Sequence, residues 1–200
     1  MAKGKGDVIL RDRLQFDVTS LGNTALVYGR VDMSDYVSIV KNEGLAIKEI
    51  RFQLRDPNTT EAFPIWMGSE DPAALGATVN EASIRIFATT TAYELAADVG
   101  IASPNVICMY ERQSAAKASG TGASALFDAF AYQENLYGTP DLHPEGYDIV
   151  TDLLIGVVAD NCTNSRLADT TLEIDVMIIA EPKKITSKDL TQMLTQAQDL

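Results

Sequence analysis

Alternation of apolar and polar residues, two residues to the repeat, constrains this chain more than any other feature. From Leu172 onward, Leu172, Ile174, Val176, Ile178 and Ala180 share one face, while Glu173, Asp175 and Glu181 share the other. Successive side chains of a β-strand point to opposite faces, so such a segment rests one face on a core and turns the other to water. Met177 and Ile179 interrupt the polar side, which predicts that part of it is covered. The pattern recurs where Leu10, Asp12, Leu14, Phe16 and Val18 oppose Arg11, Arg13, Gln15 and Asp17. It returns where Ile50, Phe52 and Leu54 oppose Glu49, Arg51, Gln53 and Arg55, and again at Ile84, Ile86 and Ala88.

Further strands are predicted over Ala25–Met33, Asp35–Val40, Phe63–Met67, Val106–Arg112 and Asp148–Ala159, about eight or nine in all. Turn-forming runs such as Leu21-Gly-Asn-Thr24, Lys41-Asn-Glu-Gly44, Asp56-Pro-Asn58 and Asp160-Asn-Cys-Thr-Asn164 separate them. Helices do not alternate with these strands. The expected class is therefore all-β, an antiparallel sandwich of jelly-roll type, with a long loop insertion and a C-terminal amphipathic helix. Thr91–Val99 and Ala123–Glu134 are short stretches of helical character. Residues 113–146 read as a long loop excursion that opens with the small-residue run Ala115–Ser124 and then turns aromatic. At the C-terminal end, Thr186 and Asp189 have the spacing of a capping box, and Leu190, Met193, Leu194 and Ala197 recur on one helical face. The expected organisation is a basic arm at 1–7, a sandwich domain at 8–182 and a helix at 183–200.

Side-chain inventory narrows the chemistry. The single histidine, His143, lies between prolines in Pro140-Asp-Leu-His-Pro144, and no Gly-x-Ser-x-Gly elbow occurs, so a nucleophilic triad has no frame. One histidine also defeats a barrel-borne zinc or iron site. Gly120-Thr-Gly-Ala-Ser124 lacks the ending of a phosphate loop, and the acid- and Asn-rich turns lack calcium-loop spacing. Cys108 and Cys162 read as buried structural thiols. No enzyme activity, cofactor, metal or small-molecule substrate is expected. With 28 acidic against 16 basic residues the chain carries a formal charge of −12, unfavourable for general phosphate binding. Lys3 and Lys5, in an arm with no apolar run after it, form the exception. Such an arm can make a weak contact with nucleic acid or an anionic membrane surface.

In layout and size, the alternating strands at 10–18, 47–55, 82–90 and 172–181, the long 113–146 excursion and the two distinctive termini resemble the single jelly-roll major capsid proteins of tail-less icosahedral viruses. The resemblance implies a structural, self-assembling coat subunit whose partners are copies of itself, with room for a second coat protein. It would be made in a host cytoplasm and reside in the virion. It implies a subunit interface at Leu190, Met193, Leu194 and Ala197, and an arm, Lys3 and Lys5, facing a genome or an internal membrane. The other expectation is a carbohydrate- or cell-surface-binding sandwich module, whose aromatic site would gather Trp66, Tyr132, Tyr137 and Tyr147, because aromatic faces stack on sugar rings.

Overall fold

The computed structural model describes residues 6–71, 79–119, 126–138 and 146–196. Nine strands are present in this range: β1 (Val8–Val18), β2 (Thr24–Val31), β3 (Glu43–Arg55), β4 (Asn80–Thr89), β5 (Val106–Ser119), β6 (Leu126–Tyr137), β7 (Tyr147–Ile149), β8 (Leu153–Asp160) and β9 (Thr170–Lys184). One helix follows, α1 (Ser187–Gln196). The strands form two antiparallel sheets, one of order β1-β9-β3-β7 and one of order β2-β8-β4-β5-β6.

The pairings are nested. β1 pairs with β9, β2 with β8, β3 with β7 and β4 with β5. The chain is thus a long two-stranded ribbon, rolled so that successive rungs fall alternately in one sheet and the other. Two further pairings, β3 with β9 and β4 with β8, stitch the rungs together within each sheet. Strand β6 lies outside this nest as an added edge on β5.

The alternation read from the sequence places the core. Leu172, Ile174, Val176, Ile178 and Ala180 of β9 face Ala82, Ile84, Ile86 and Ala88 of β4 across the sandwich, all buried in one cluster. Burial of this apolar surface drives the two sheets together. A second, smaller cluster forms on the outside of the five-stranded sheet, where residues 90–105 fold back and Val99 covers Phe87 and Met109.

Several local expectations differ from the structure, each for a physical reason. Thr91–Val99 contains only a 3-10 turn at Ala96–Asp98. Its carbonyls at Ala96 and Val99 accept hydrogen bonds from the Arg85 guanidinium at 3.3 and 3.0 Å, which holds the segment against the sheet. Within Ala123–Glu134 the residues from Leu126 on belong to β6. Pairing with β5 outweighs the helical character of an alanine-containing stretch. The 113–146 excursion is accordingly no plain loop: β5 runs on to Ser119 and β6 returns beside it. Asp35–Val40 is a turn in which the Tyr36 and Val37 amides both donate to the Met33 carbonyl. Phe63–Met67 follows no strand path and is held by side-chain contacts described below. Asp148–Ala159 divides into β7 and β8 because the chain there crosses from one sheet to the other. Pro182, at the expected boundary between sandwich and helix, stands within β9, opposite Leu45 of β3 and beyond the last β1 pairing at Ala180, where a missing amide breaks no ladder bond to β1.

Gly22 closes one end of the sandwich. Its φ of +77° is left-handed, and its carbonyl accepts the Cys162 amide at 2.8 Å, locking the β1–β2 turn to the β8–β9 turn. An added Cβ would lie 2.5 Å from the Cys162 carbonyl carbon. Gly22→Ala is therefore expected to cost more than the ~1–2 kcal/mol of left-handed strain alone, read as a lowered urea midpoint with unchanged slope.

Candidate functional site

The helix α1 is built as its sequence predicts. The Asp189 amide donates to Thr186 Oγ1 at 3.2 Å, and the Thr186 hydroxyl donates to Asp189 Oδ2 at 2.7 Å, so each residue caps the other. Its apolar stripe, however, rests on its own domain. Leu190 is buried with Val150 and Ile185, and Met193 and Leu194, half-buried, pack on the same cluster beside Val37. Hydrogen bonds from the Ile185 amide to the Asn42 carbonyl (2.9 Å) and from Asn42 Nδ2 to Ser187 Oγ (3.3 Å) tie the helix to the β2–β3 turn. A ten-residue helix is marginal alone, and this seat supplies its missing stability. Leu190, expected at a subunit interface, is covered in this fold by its own domain. Ala197, like Lys3 and Lys5, lies outside the described residues.

The four aromatic residues do not converge. Trp66 stacks edge-on with Phe130 at 5.9 Å between ring centroids, and its indole donates to the Ser69 carbonyl at 2.8 Å. Tyr132, also on β6, faces the Arg112 guanidinium at 5.2 Å. Tyr137 stands at the far end of β6, packed on the outer cluster of Phe87, Val99 and Met109. Tyr147 belongs to β7, in the opposite sheet. The four thus fall into two groups and form no single stacking platform: Trp66 and Tyr132 share one neighbourhood, whereas Tyr137 packs with Tyr93, to which Tyr147 is also near.

That neighbourhood centres on Arg112. The side chain points inward from β5, almost wholly buried, and lies between the rings of Phe63 (4.6 Å) and Tyr132. It donates to the Pro64 carbonyl at 3.1 Å and reaches the Glu134 carboxylate at 4.0 Å. The Tyr110 hydroxyl donates to the same carboxylate, and burial above all pushes the Tyr110 phenol upward, so it stays protonated. The adjoining Met67 amide donates to Ser114 Oγ, and Asn164 Nδ2 donates to the Trp66 carbonyl. Arg112 thus pins residues 63–67 over the inner side of the β5–β6 overhang, a buried charge neutralised by carbonyls, a carboxylate and two π faces. Alternation carries a signal for it, because Arg112 is the one charged residue on the inward positions of β5, shared with Cys108, Tyr110, Ser114 and Ala116.

The outer face of the four-stranded sheet carries an ion-pair ladder across three strands. Arg13 of β1 grips Asp175 of β9 with Nε at 2.6 Å, and Arg55 of β3 approaches the same carboxylate at 3.4 Å. The hydrogen bond from Arg13 holds the Asp175 carboxyl below the usual range. Among the described residues no group of three or more His, Cys, Asp or Glu side chains is placed to hold a metal ion. Both cysteines are buried, and burial pushes each thiol up to about 12.

No family model matches this chain. No curated protein matches it. Among solved structures, the tailspike protein of Acinetobacter baumannii phage AM24 aligns over 88% of this chain and 26% of its own length, at 9% identity and a TM-score of 0.18. The chain thus spans about a quarter of that tailspike, and a likeness at this level carries no argument about fold or function.

Two pH-linked outcomes follow from these environments. Cys108 and Cys162 should resist a thiol-reactive disulfide reagent at pH 8 in the native protein and both react once urea unfolds it. Because their folded values lie above the free-thiol value of ~8.5, their stabilising contribution is complete below that pH and declines as pH rises past it. Asp175 works in the opposite sense: its depressed value favours the fold above about pH 4 and the contribution fades as pH falls. Urea midpoints measured from pH 3 to pH 11 should therefore drop at both ends, and Asp175→Asn should flatten the acid limb alone.

Proposed function

We propose that this chain is a self-assembling coat subunit, a single jelly roll that forms a viral shell by lateral contacts with copies of itself. The observation that carries the reading is the nested order, with β1-β9-β3-β7 packed on β2-β8-β4-β5. Eight strands paired in this nested way support a jelly roll, the arrangement that coat proteins share with lectin domains and cupins. Absence of the converging histidines of a cupin, in a chain with one histidine, favours the first of these uses. Dispersal of Trp66, Tyr132, Tyr137 and Tyr147 removes the aromatic platform on which the binding-module alternative rested.

Rigid walls and variable ends divide the labour in such a subunit. Exposed apolar side chains stand at both ends of the sandwich: Ile39 and Val40, the latter 95% exposed, in the β2–β3 turn, and Leu21 with Ile65 at the opposite end. Contacts made there would each be weak and would add through multiplicity in a closed shell. Excess negative charge keeps free subunits soluble until these contacts form. Lys3 and Lys5 remain the residues proposed to touch a genome or an internal membrane. A second coat protein and a virion location belong to the same proposal.

The deciding measurement is particle size, by light scattering and negative-stain microscopy at low and high salt. Shells, rings or regular sheets are expected from the purified chain, and Val40→Asp with Leu21→Asp should reduce them to folded single subunits. A strictly monomeric protein under every condition, with or without the substitutions, would sink self-assembly as an intrinsic property of this chain.

A further inference from the structure

We propose that the outer face of the five-stranded sheet is a binding groove for a neutral, hydroxyl-rich chain, a glycan, independent of any shell contact. The strand register sets four polar residues in one row across four adjacent strands. Ser83 of β4 stands opposite Asp160 of β8 and Gln113 of β5, and Gln113 stands opposite Gln133 of β6. At the spacing of neighbouring strands the row spans ~14 Å. All four point away from the core, because Ala82 and Ile84, which flank Ser83, point into it.

The row borders a real depression. In the next register position Ala115 faces Ala131, so two strands contribute nothing beyond a Cβ and the floor falls away beside the glutamines. The resulting trough has a volume of about 270 Å³ and adjoins a second of about 410 Å³, the two sharing Ser83, Gln113 and Asp160. The wall of the second is the Ala96–Asp98 turn, fixed by the Arg85 hydrogen bonds to the Ala96 and Val99 carbonyls. A preformed floor with a braced wall is the geometry of a small-molecule or oligosaccharide site.

Charge and hydrogen-bonding capacity select the ligand class. Among the described residues, the side chains of Glu81, Ser83, Gln113 and Asp160 make no hydrogen bond or ion pair, so their capacity is unspent. The nearby cation, Arg85, is occupied by Glu111 at 2.6 Å. Phosphate, sulfate and uronate would meet Glu81 and Asp160 in a chain of charge −12, which excludes anionic polymers. Vicinal hydroxyls instead donate to carboxylates, and both donate to and accept from amides and Ser83. None of the four residues of the row is aromatic, and Tyr132, which also borders the trough, is engaged with Arg112; affinity per site therefore rests on hydrogen bonds and is weak, with Kd on the order of 1 mM.

The full-length chain, fluorescently labelled, is applied to a glycan array holding neutral, sialylated and sulfated glycans. Hydrogen exchange by mass spectrometry with the best neutral glycan then maps the contact. Retention on neutral glycans is expected, with protection of the segments bearing Ser83, Gln113 and Gln133. Gln113→Ala and Ala131→Gln, the second filling the trough from an exposed position, should each weaken retention about tenfold with unchanged melting. No retention on any neutral glycan overturns the proposal, as does a preference for anionic glycans or undiminished binding by both variants. Protection confined to the Trp66–Tyr132 region would move the site off this face. Protection of the same segments by hexalysine, with no glycan response, would overturn the proposal and assign the groove to a basic peptide segment instead.

Discussion

Strand β9 is the member on which everything else leans. It hydrogen-bonds to β1 along one edge and to β3 along the other, and its alternate side chains supply the middle of one wall of the core. A strand paired on both edges and buried on one face has no freedom to slip, because a one-residue shift would turn Leu172, Ile174, Val176 and Ile178 outward and Glu173 and Asp175 inward. Its outer face is partly covered as well. Arginines reach across from β1 and β3, so that Glu173 is 6% exposed although it points away from the core. The break in polar alternation at Met177 and Ile179 has the same origin, a central strand flanked by longer side chains.

The class of fold was legible because alternation reports faces, and faces are what a sandwich buries. β1, β3, β4 and β9 stand within a few residues of where their patterns place them. Connectivity was not legible. Nothing in Ala123–Glu134 announces that Phe130 and Tyr132 will sit on a strand, since that state depends on β5, which is distant in kind: an alanine-rich stretch stabilised by its partner rather than by its own propensity. The Phe63–Met67 segment fails in the other direction. Its residues have strand-like character, but Arg112 and Asn164 take the Pro64 and Trp66 carbonyls, and Ser114 Oγ takes the Met67 amide, so the backbone groups that would pair in a sheet are spent on side chains.

The functional surfaces divide in a parallel way. The helix stripe was readable as apolar, whereas the body it covers was not, because Val37, Val150 and Ile185 come from three separate parts of the chain. Aromatic residues attract notice in a sequence, yet Trp66, Tyr132 and Tyr137 pack locally and Tyr147 stands apart, partly exposed. The polar row of Asp160, Ser83, Gln113 and Gln133 is invisible until register is known, for its members are ordinary residues made neighbours only by the order of strands. Arg112 is the intermediate case, noticeable as a charge on an inward position but without its partners until the fold places Phe63 and Glu134 beside it.

Nested pairing also sets the order in which this chain can be completed during synthesis. β4 and β5 are the innermost rung and close over the shortest contour of the four nested rungs, whereas β1 must wait for β9, so Arg13 meets Asp175 only when 162 positions separate them. Loop-closure entropy therefore favours growth from the centre outward, and the high proportion of distant contacts makes the process slow. While β9 is still in the ribosome, β1 and β3 lack the strand that lies between them, and each exposes an open edge with an apolar face. β9 is thus the strand that removes the hazard, and until it emerges the nascent sandwich depends most on chaperones.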